Sequence, residues 1–353
     1  METELNGNAV RYPQLVGLAD EAVQQAINDA VVEQGKIAQR MVTLSLLKDG
    51  GAGLQVTYEA FLGGGVFSTV LSAKGVMENG RTGQEYAAMS FHLATGQPVT
   101  LDELFTDPDA AVSRMEDVLL STYLDELSSY LENSDLTPLP RESFNLDADG
   151  ITFYYPYRQF ALLSGYCGAA QFCYDELAGE LRTDTDALPA KLGAITPPRA
   201  QDEIRQLIEQ TVSQGALPHI SARLGDGMAD LIGRYRLLRT PDQYPGGRYF
   251  QLEAPSFRQV LVLSDALSGG WDNSRVEGLL SYRANLFGLQ CGVTSSGAWH
   301  AILGEPDSSV AFDEALAYDY GLIPGTADYY SFGERQLLLY AGEDGVLYAV
   351  RLT

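Results

Sequence analysis

The sequence predicts an α+β fold in two domains, each a mainly antiparallel sheet with packed helices. Apolar residues recur at helical spacing in a few separate stretches, and between these run alternating apolar and small residues cut by Gly, Asn and Asp turns. A third pattern, the proline-bearing "DTDALPAKLGAITPPRA" over 184–200, interrupts both and reads as a linker with few residues able to pack. Helices and strands in segregated order, not strict alternation, indicate the α+β class. Because 353 residues exceed what one hydrophobic core usually serves, a boundary near residue 195 is expected, giving domains over 1–190 and 197–353.

In "YPQLVGLADEAVQQAINDAVVEQ", an extended Tyr-Pro is followed by apolar residues at Leu18, Ala22, Ala26, Ile27 and Ala30, which predicts an amphipathic helix. From Met41 to Gly96 the pattern becomes a meander of strands, with turns at 49–53, 63–65 and Asn79-Gly80. Thr100-Leu101-Asp102-Glu103 has the form of a capping box, and a long helix is expected after it. Its apolar face would comprise Val112, Met115, Val118, Leu119, Tyr123, Leu127 and Leu131. Strands resume at "FNLDADGITFYYPY" and "AAQFCYDEL". The second half reads as a helix over 201–214, strands within 249–264 and 276–290, the helix "SSGAWHAIL", and a closing hairpin that turns at Asp344-Gly345.

With 45% hydrophobic and 20% charged residues, the chain belongs to the ordinary globular class. Its net charge of −24 is uneven: residues 1–196 hold 28 acids against 11 bases, and 102–149 hold 13 acids against two arginines. Such a field repels nucleic acid and anionic membranes and steers basic partners. No apolar run reaches the roughly 18 residues that cross a bilayer, so no membrane span is expected in this chain. The N-terminus has no signal-peptide pattern, so any native export signal or anchor is expected to be absent from this chain.

Catalytic signatures are missing. There is no Gly-x-Ser-x-Gly, Walker loop or His-Glu-x-x-His, and Ser45-x-x-Lys48 lies in a strand pattern that points the two side chains apart. His92, His219 and His300 stand isolated in the sequence and read as core or surface histidines. In "NLDADG", Asn145, Asp147, Asp149 and Gly150 match half of a calcium loop, but the twelfth loop position is Pro156, so a tight turn is expected instead. No catalytic residue, metal site or cofactor is expected. Cys167, Cys173 and Cys291 lack zinc spacing and read as small buried residues; a Cys167–Cys173 bridge would require the chain around Gly168 to fold back.

The window "FYYPYRQFALLSGYCGAAQFCYDEL" gathers five tyrosines, three phenylalanines and two cysteines over 153–177. With "YPQLVGL", "INDAV", "TGQPVTLDELF", "DADGITFYY" and "FCYDEL" in that order, residues 8–181 resemble the ectodomain of the RsiV family, membrane-anchored anti-sigma factors that act as lysozyme receptors. The N-terminal regions of PdaC-type peptidoglycan deacetylases look similar. Here "YRQFALLSGYCG" lacks the family's internal proline, and Cys173 stands where a second proline would be. In the second half, Gly292, Thr294, Leu303, Gly304 and Pro306 resemble the turn-helix-turn of units like the β-lactamase inhibitor protein, with Gly304 suited to a left-handed helix cap.

The RsiV-type likeness implies a non-enzymatic, extracellular or cell-surface module of Gram-positive type that binds a basic protein such as lysozyme or a cell-wall component. The alternative is an accessory region of a peptidoglycan-modifying enzyme whose catalytic domain is absent. The expected binding residues are Tyr154, Tyr155, Tyr157 and Tyr166, which would supply contact area, and Asp107, Asp109, Glu116 and Asp117, which would steer the partner. Strand alternation predicts that about half of those tyrosines are buried.

Overall fold

The computed structural model describes residues 2–5, 8–36, 54–76, 80, 82–127, 131–134, 137–156, 160–162, 168–195, 199–218, 220, 222–234, 236–244, 247–253, 260–264, 274–319 and 322–353. It is α+β, with mainly antiparallel sheets. The chain divides into two compact units, Met1–Ile195 and Thr196–Thr353.

The first unit contains β1 (Glu2–Leu5), β2 (Asn8–Arg11), α1 (Glu21–Gly35), β3 (Gln55–Gly63), β4 (Val66–Val76) and β5 (Thr82–His92). After these come α2 (Pro108–Leu127), β6 (Leu131–Ser134), β7 (Phe144–Leu146), β8 (Gly150–Tyr154), β9 (Phe160–Leu162), β10 (Ala169–Cys173) and α3 (Leu188–Leu192). Strands β1 to β5 form one sheet in sequence order, antiparallel except for the β2–β3 contact at Val10 and Val56. A second sheet runs β10-β8-β7, while β6 pairs with β9.

Strand β4 carries the first unit's packing because both of its faces are covered. Phe67, Leu71 and Ala73 join Ile27 and Val31 of α1 in one core, while Val70 faces the other way toward Tyr86, Tyr154 and Ala169. Between the two sheets Ser68 bonds Ser90 (2.8 Å) and accepts the Leu146 N–H (2.7 Å), a polar seam that fixes their register. Helix α1 starts where Asp20 accepts the N–H groups of Ala22 and Val23. Its buried face differs from the expected one: Ala22 and Ala26 are exposed, and Ile27, Asn28 and Val31 are buried. Asn28 makes the difference, since its amide exchanges two hydrogen bonds with the Leu15 backbone (2.8 and 2.9 Å) and ties "YPQLVGL" to the helix.

The "NLDADG" turn joins β7 to β8, and Asp147 accepts the N–H groups of Asp149 and Gly150 at 2.8 Å each. The capping box of Thr100 and Glu103 is present, but it caps a single 3-10 turn over Leu101–Glu103, not the long helix. That helix, α2, begins later, with Asp107 accepting the Ala110 N–H (3.0 Å), and ends at Leu127, so Leu131 belongs to β6 and not to the helical face. Ala111, Val112, Met115 and Leu119 are buried; Val118 is half-buried, and the Tyr123 and Leu127 side chains are not among those described. The proposed linker is also partly folded: Leu188, Pro189 and Ala194 are buried and α3 forms within it, while 196–198 are not described.

The second unit holds α4 (Gln201–Ser213), α5 (Met228–Arg234), β11 (Arg236–Tyr244), β12 (Gly247–Glu253), β13 (Val260–Ser264), β14 (Val276–Ser281), β15 (Asn285–Leu286) and β16 (Leu289–Gln290). It continues through α6 (Ser296–Leu303), β17 (Ser308–Phe312), α7 (Glu314–Asp319), β18 (Gly325–Phe332), β19 (Arg335–Gly342) and β20 (Leu347–Leu352). Eight strands form one antiparallel sheet, β11-β12-β13-β14-β20-β19-β18-β17. Along β19, Leu337, Leu339 and Ala341 pack with Ile208, Trp299 and Leu303 of α4 and α6; Leu338 and Tyr340 pack on the opposite face with Phe312 and Ala317. Gly304 has the positive φ of 86° expected for it, but ψ of −170° takes it out of the left-handed helical cap; its N–H still reaches the His300 carbonyl at 2.8 Å.

Gly150 is where the β8–β10 pairing is tightest. A β-carbon there would lie 2.1 Å from the Phe172 carbonyl oxygen, whereas one at Gly179 would meet nothing within 4 Å. Gly150→Ala is therefore expected to cost about 3 kcal/mol through forced backbone shifts, and Gly179→Ala less than about 0.5 kcal/mol. Urea unfolding of both variants, read as midpoint shifts at constant m, checks the difference.

Candidate functional site

The aromatic window is built as core. Tyr154 and Tyr155 are consecutive, and strand alternation expects one of them outside, yet both are buried, at 5% and 1% exposure. All five residues of β8 are buried. Tyr154 packs on Tyr86 with ring centroids 4.8 Å apart, while Phe153 on the other face meets Phe144 and Phe172. Neither tyrosine therefore offers contact area to a partner, a correction to the expected site. Tyr157, Tyr166 and Cys167 lie outside the described residues, and Cys173 is a free, buried thiol. Burial and the nearby Asp147 and Asp149 push the Tyr174 hydroxyl up, and it donates to the Asp147 carbonyl (3.2 Å).

The four acids have different roles. Asp107 caps α2, Asp109 pairs with Arg141 at 2.5 Å, and Glu116 accepts the Leu139 N–H at 2.8 Å, so these three also hold structure. Asp117 is exposed on the helix and makes none of those bonds. Arg114, the other base of the 102–149 stretch, is taken up by Glu180 at 3.1 Å. Among the described exposed side chains of this helix, Asp109 and Asp117 are acids and Arg114 is already engaged, and exposed acids of this kind attract positive charge.

Two of the three histidines are paired, which corrects their reading as isolated. Nε2 of His92 lies 2.8 Å from Glu103 Oε1, and Nε2 of His300 lies 2.7 Å from Asp328 Oδ2; His219 is outside the described residues. Ser45 and Lys48 also lie outside them. At Asp328, Trp299 Nε1 (3.0 Å) and Ser309 Oγ (2.5 Å) donate to the same carboxylate as His300. Serine and histidine meet at the carboxylate, whereas a hydrolytic triad requires histidine between serine and acid. Burial pushes this carboxyl up, and the bonds from Ser309, His300 and Trp299 with the His300 charge outweigh it and hold it below the usual range.

A cleft of about 730 Å³ opens in the first unit, a size typical of small-molecule sites. The β3–β4 hairpin tip forms one wall. Gly64, at φ +60°, lies so near α3 that a β-carbon would sit 2.9 Å from the Lys191 carbonyl oxygen. Across it, Thr106 and Arg182 exchange backbone bonds with Glu180 and Leu104 at 2.9 Å each, which sets Arg182 beside the 3-10 turn. Arg182 Nη1 donates to the Asp102 carbonyl (3.0 Å), and its Nε lies 3.9 Å from Asp184. Glu103 uses its second carboxylate oxygen on the Thr100 N–H (2.9 Å), so it is locked in place between His92 and the chain. Thr185 donates to Asp186 at 2.9 Å, and Lys191, exposed on α3, also lines the cleft.

Sequence reasoning missed this cleft. Nothing local links His92 to Glu103, and Arg182, Asp186 and Lys191 lie in or beside a stretch read as linker. Among the described residues no cluster of three or more His, Cys, Asp or Glu side chains is placed to hold a metal ion. No helix among them is long and apolar enough to cross a membrane.

No protein-family model and no curated protein matches the chain. Solved structures that resemble it include YjgB, a DUF4309 family protein from Bacillus subtilis, at 13% identity and TM-score 0.32, covering 43% of this chain and 96% of that one. A DUF3298 family member from Bacteroides fragilis is 15% identical with TM-score 0.37, covering 54% and 93%. Another from Pseudomonas aeruginosa is 14% identical with TM-score 0.29, covering 48% and 72%.

The Asp328 cluster yields a pH prediction. A carboxyl held below its unfolded value adds stability that is present above about pH 4 and is lost as pH falls through the folded value. Asp328→Asn, which weakens three charge-assisted bonds, is expected to cost about 3 kcal/mol near neutrality. Denaturation followed from pH 7 down should show the gap between the two proteins narrowing below about pH 4.

Proposed function

We propose that the chain is a non-enzymatic, extracellular or cell-surface binding module whose first unit receives a basic protein. The observation that carries this reading is the acidic surface of α2 and its flanks, where both arginines of the 102–149 stretch are already paired with carboxylates. An incoming lysine or arginine meets a stretch where 13 acids outnumber two arginines, and long-range attraction raises its association rate. The likeness of residues 8–181 to the RsiV family makes lysozyme the natural probe. Absence of enzymatic activity is part of the same proposal. It is supported by the arrangement at Asp328, where Ser309 and His300 both bond the carboxylate and the histidine does not stand between serine and acid.

The full chain titrated calorimetrically with lysozyme tests the proposal. Exposed acids are screened as the Debye length shrinks from about 10 Å at 0.1 M salt to about 3 Å at 1 M, so affinity is expected to fall at least about tenfold over that range. A variant carrying Asp102→Asn, Asp117→Asn and Glu142→Gln, three exposed acids with no capping or pairing role described above, should bind more weakly at low salt and respond less to salt. Undetectable binding at low salt, or binding indifferent to both salt and these acids, would overturn the proposal.

A further inference from the structure

We propose that the cleft beside α3 is a second binding site, for a short peptide that carries its own free amino and carboxyl ends. It stands independently of the basic-protein reading. The lining carries both signs: Glu103, Asp184 and Asp186 occur with Arg182 and Lys191, in a unit where acids outnumber bases by far. Spare hydrogen-bonding capacity is also split. The Lys191 ammonium makes no hydrogen bond to a described residue, and Arg182, which donates Nη1 to the Asp102 carbonyl and has Nε 3.9 Å from Asp184, keeps further guanidinium N–H groups for a carboxylate. Asp186 accepts the Thr185 hydroxyl on one oxygen and keeps the other for an ammonium group.

Other ligand classes fit less well. A phosphate or polyanion would meet three carboxylates, and a polycation would meet two cations, each at the cost of like-charge contact. Nucleobases take their binding energy from aromatic stacking, and no Phe, Tyr or Trp lines the cleft. A zwitterion satisfies both signs, and about 730 Å³ accommodates two or three residues. His92, clamped by Glu103 at 2.8 Å, is a fixed part of the lining.

The test uses the full chain with trialanine, its N-acetyl form and its C-terminal amide, followed by NMR titration. Trialanine should bind in the millimolar range, and blocking either end should weaken binding at least about tenfold, the loss of one charge-assisted contact. Lys191→Gln should reduce the preference for the free carboxylate, Arg182 remaining, while retaining that for the free amine. Asp186→Asn should do the reverse. Both side chains are exposed, so unchanged melting is expected and separates loss of binding from loss of fold. No shift at about 10 mM trialanine, equal binding of all three peptides, or end preferences untouched by both substitutions would overturn the proposal.

Discussion

Coverage of both faces of the central strands is the constraint on which the rest of this molecule depends. β4 in the first unit and β19 in the second have apolar side chains on both sides, each side closed by a helix or another sheet, and every residue of β8 is buried. A strand covered in this way cannot present its aromatic residues to a partner, however many it has. Any recognition, as proposed, is left to what remains: an exposed helix face and the rim where the β3–β4 hairpin tip, the 3-10 turn and the 182–191 segment meet.

That constraint also sets how much was legible in the sequence. The closing hairpin over 335–352 and the helix at 296–303 read correctly because period and turn chemistry agree there, with Gly345 at φ 73° in the turn. α+β character was legible for the same reason. Alternation failed at Tyr154 and Tyr155, since a period of two separates faces but does not say whether a second layer covers the outer one. The α1 face was misjudged because a polar residue, Asn28, is buried by its bonds to Leu15, a long-range pairing that hydropathy cannot show. The cleft was not legible at all: His92, Glu103, Arg182 and Lys191 come together through backbone pairing between 104–106 and 180–182.

Polar groups in both units are used first to hold structure. Asp107, Asp147 and Asp20 accept backbone N–H groups at helix starts and turns, and Asp328 gathers three side chains beneath a helix. In a chain of net charge −24, acids committed in this way cannot be counted with those that face solvent unopposed. Separating the two sets leaves Asp117 and its exposed neighbours as the proposed steering surface and the cleft as a place where both signs occur together. On the two proposals, electrostatics acts at two ranges, long for a basic protein and short for a small zwitterion.

The account stands or falls on the aromatic strand being core. Tyrosine nitration of the native full chain, mapped by mass spectrometry, measures this directly. The account predicts that Tyr58, 43% exposed, is modified while Tyr154 and Tyr155 stay unmodified until denaturant unfolds the chain. Nitration of Tyr154 or Tyr155 in the folded protein at a rate near that of Tyr58 would contradict it and return the aromatic window to the candidate binding surface.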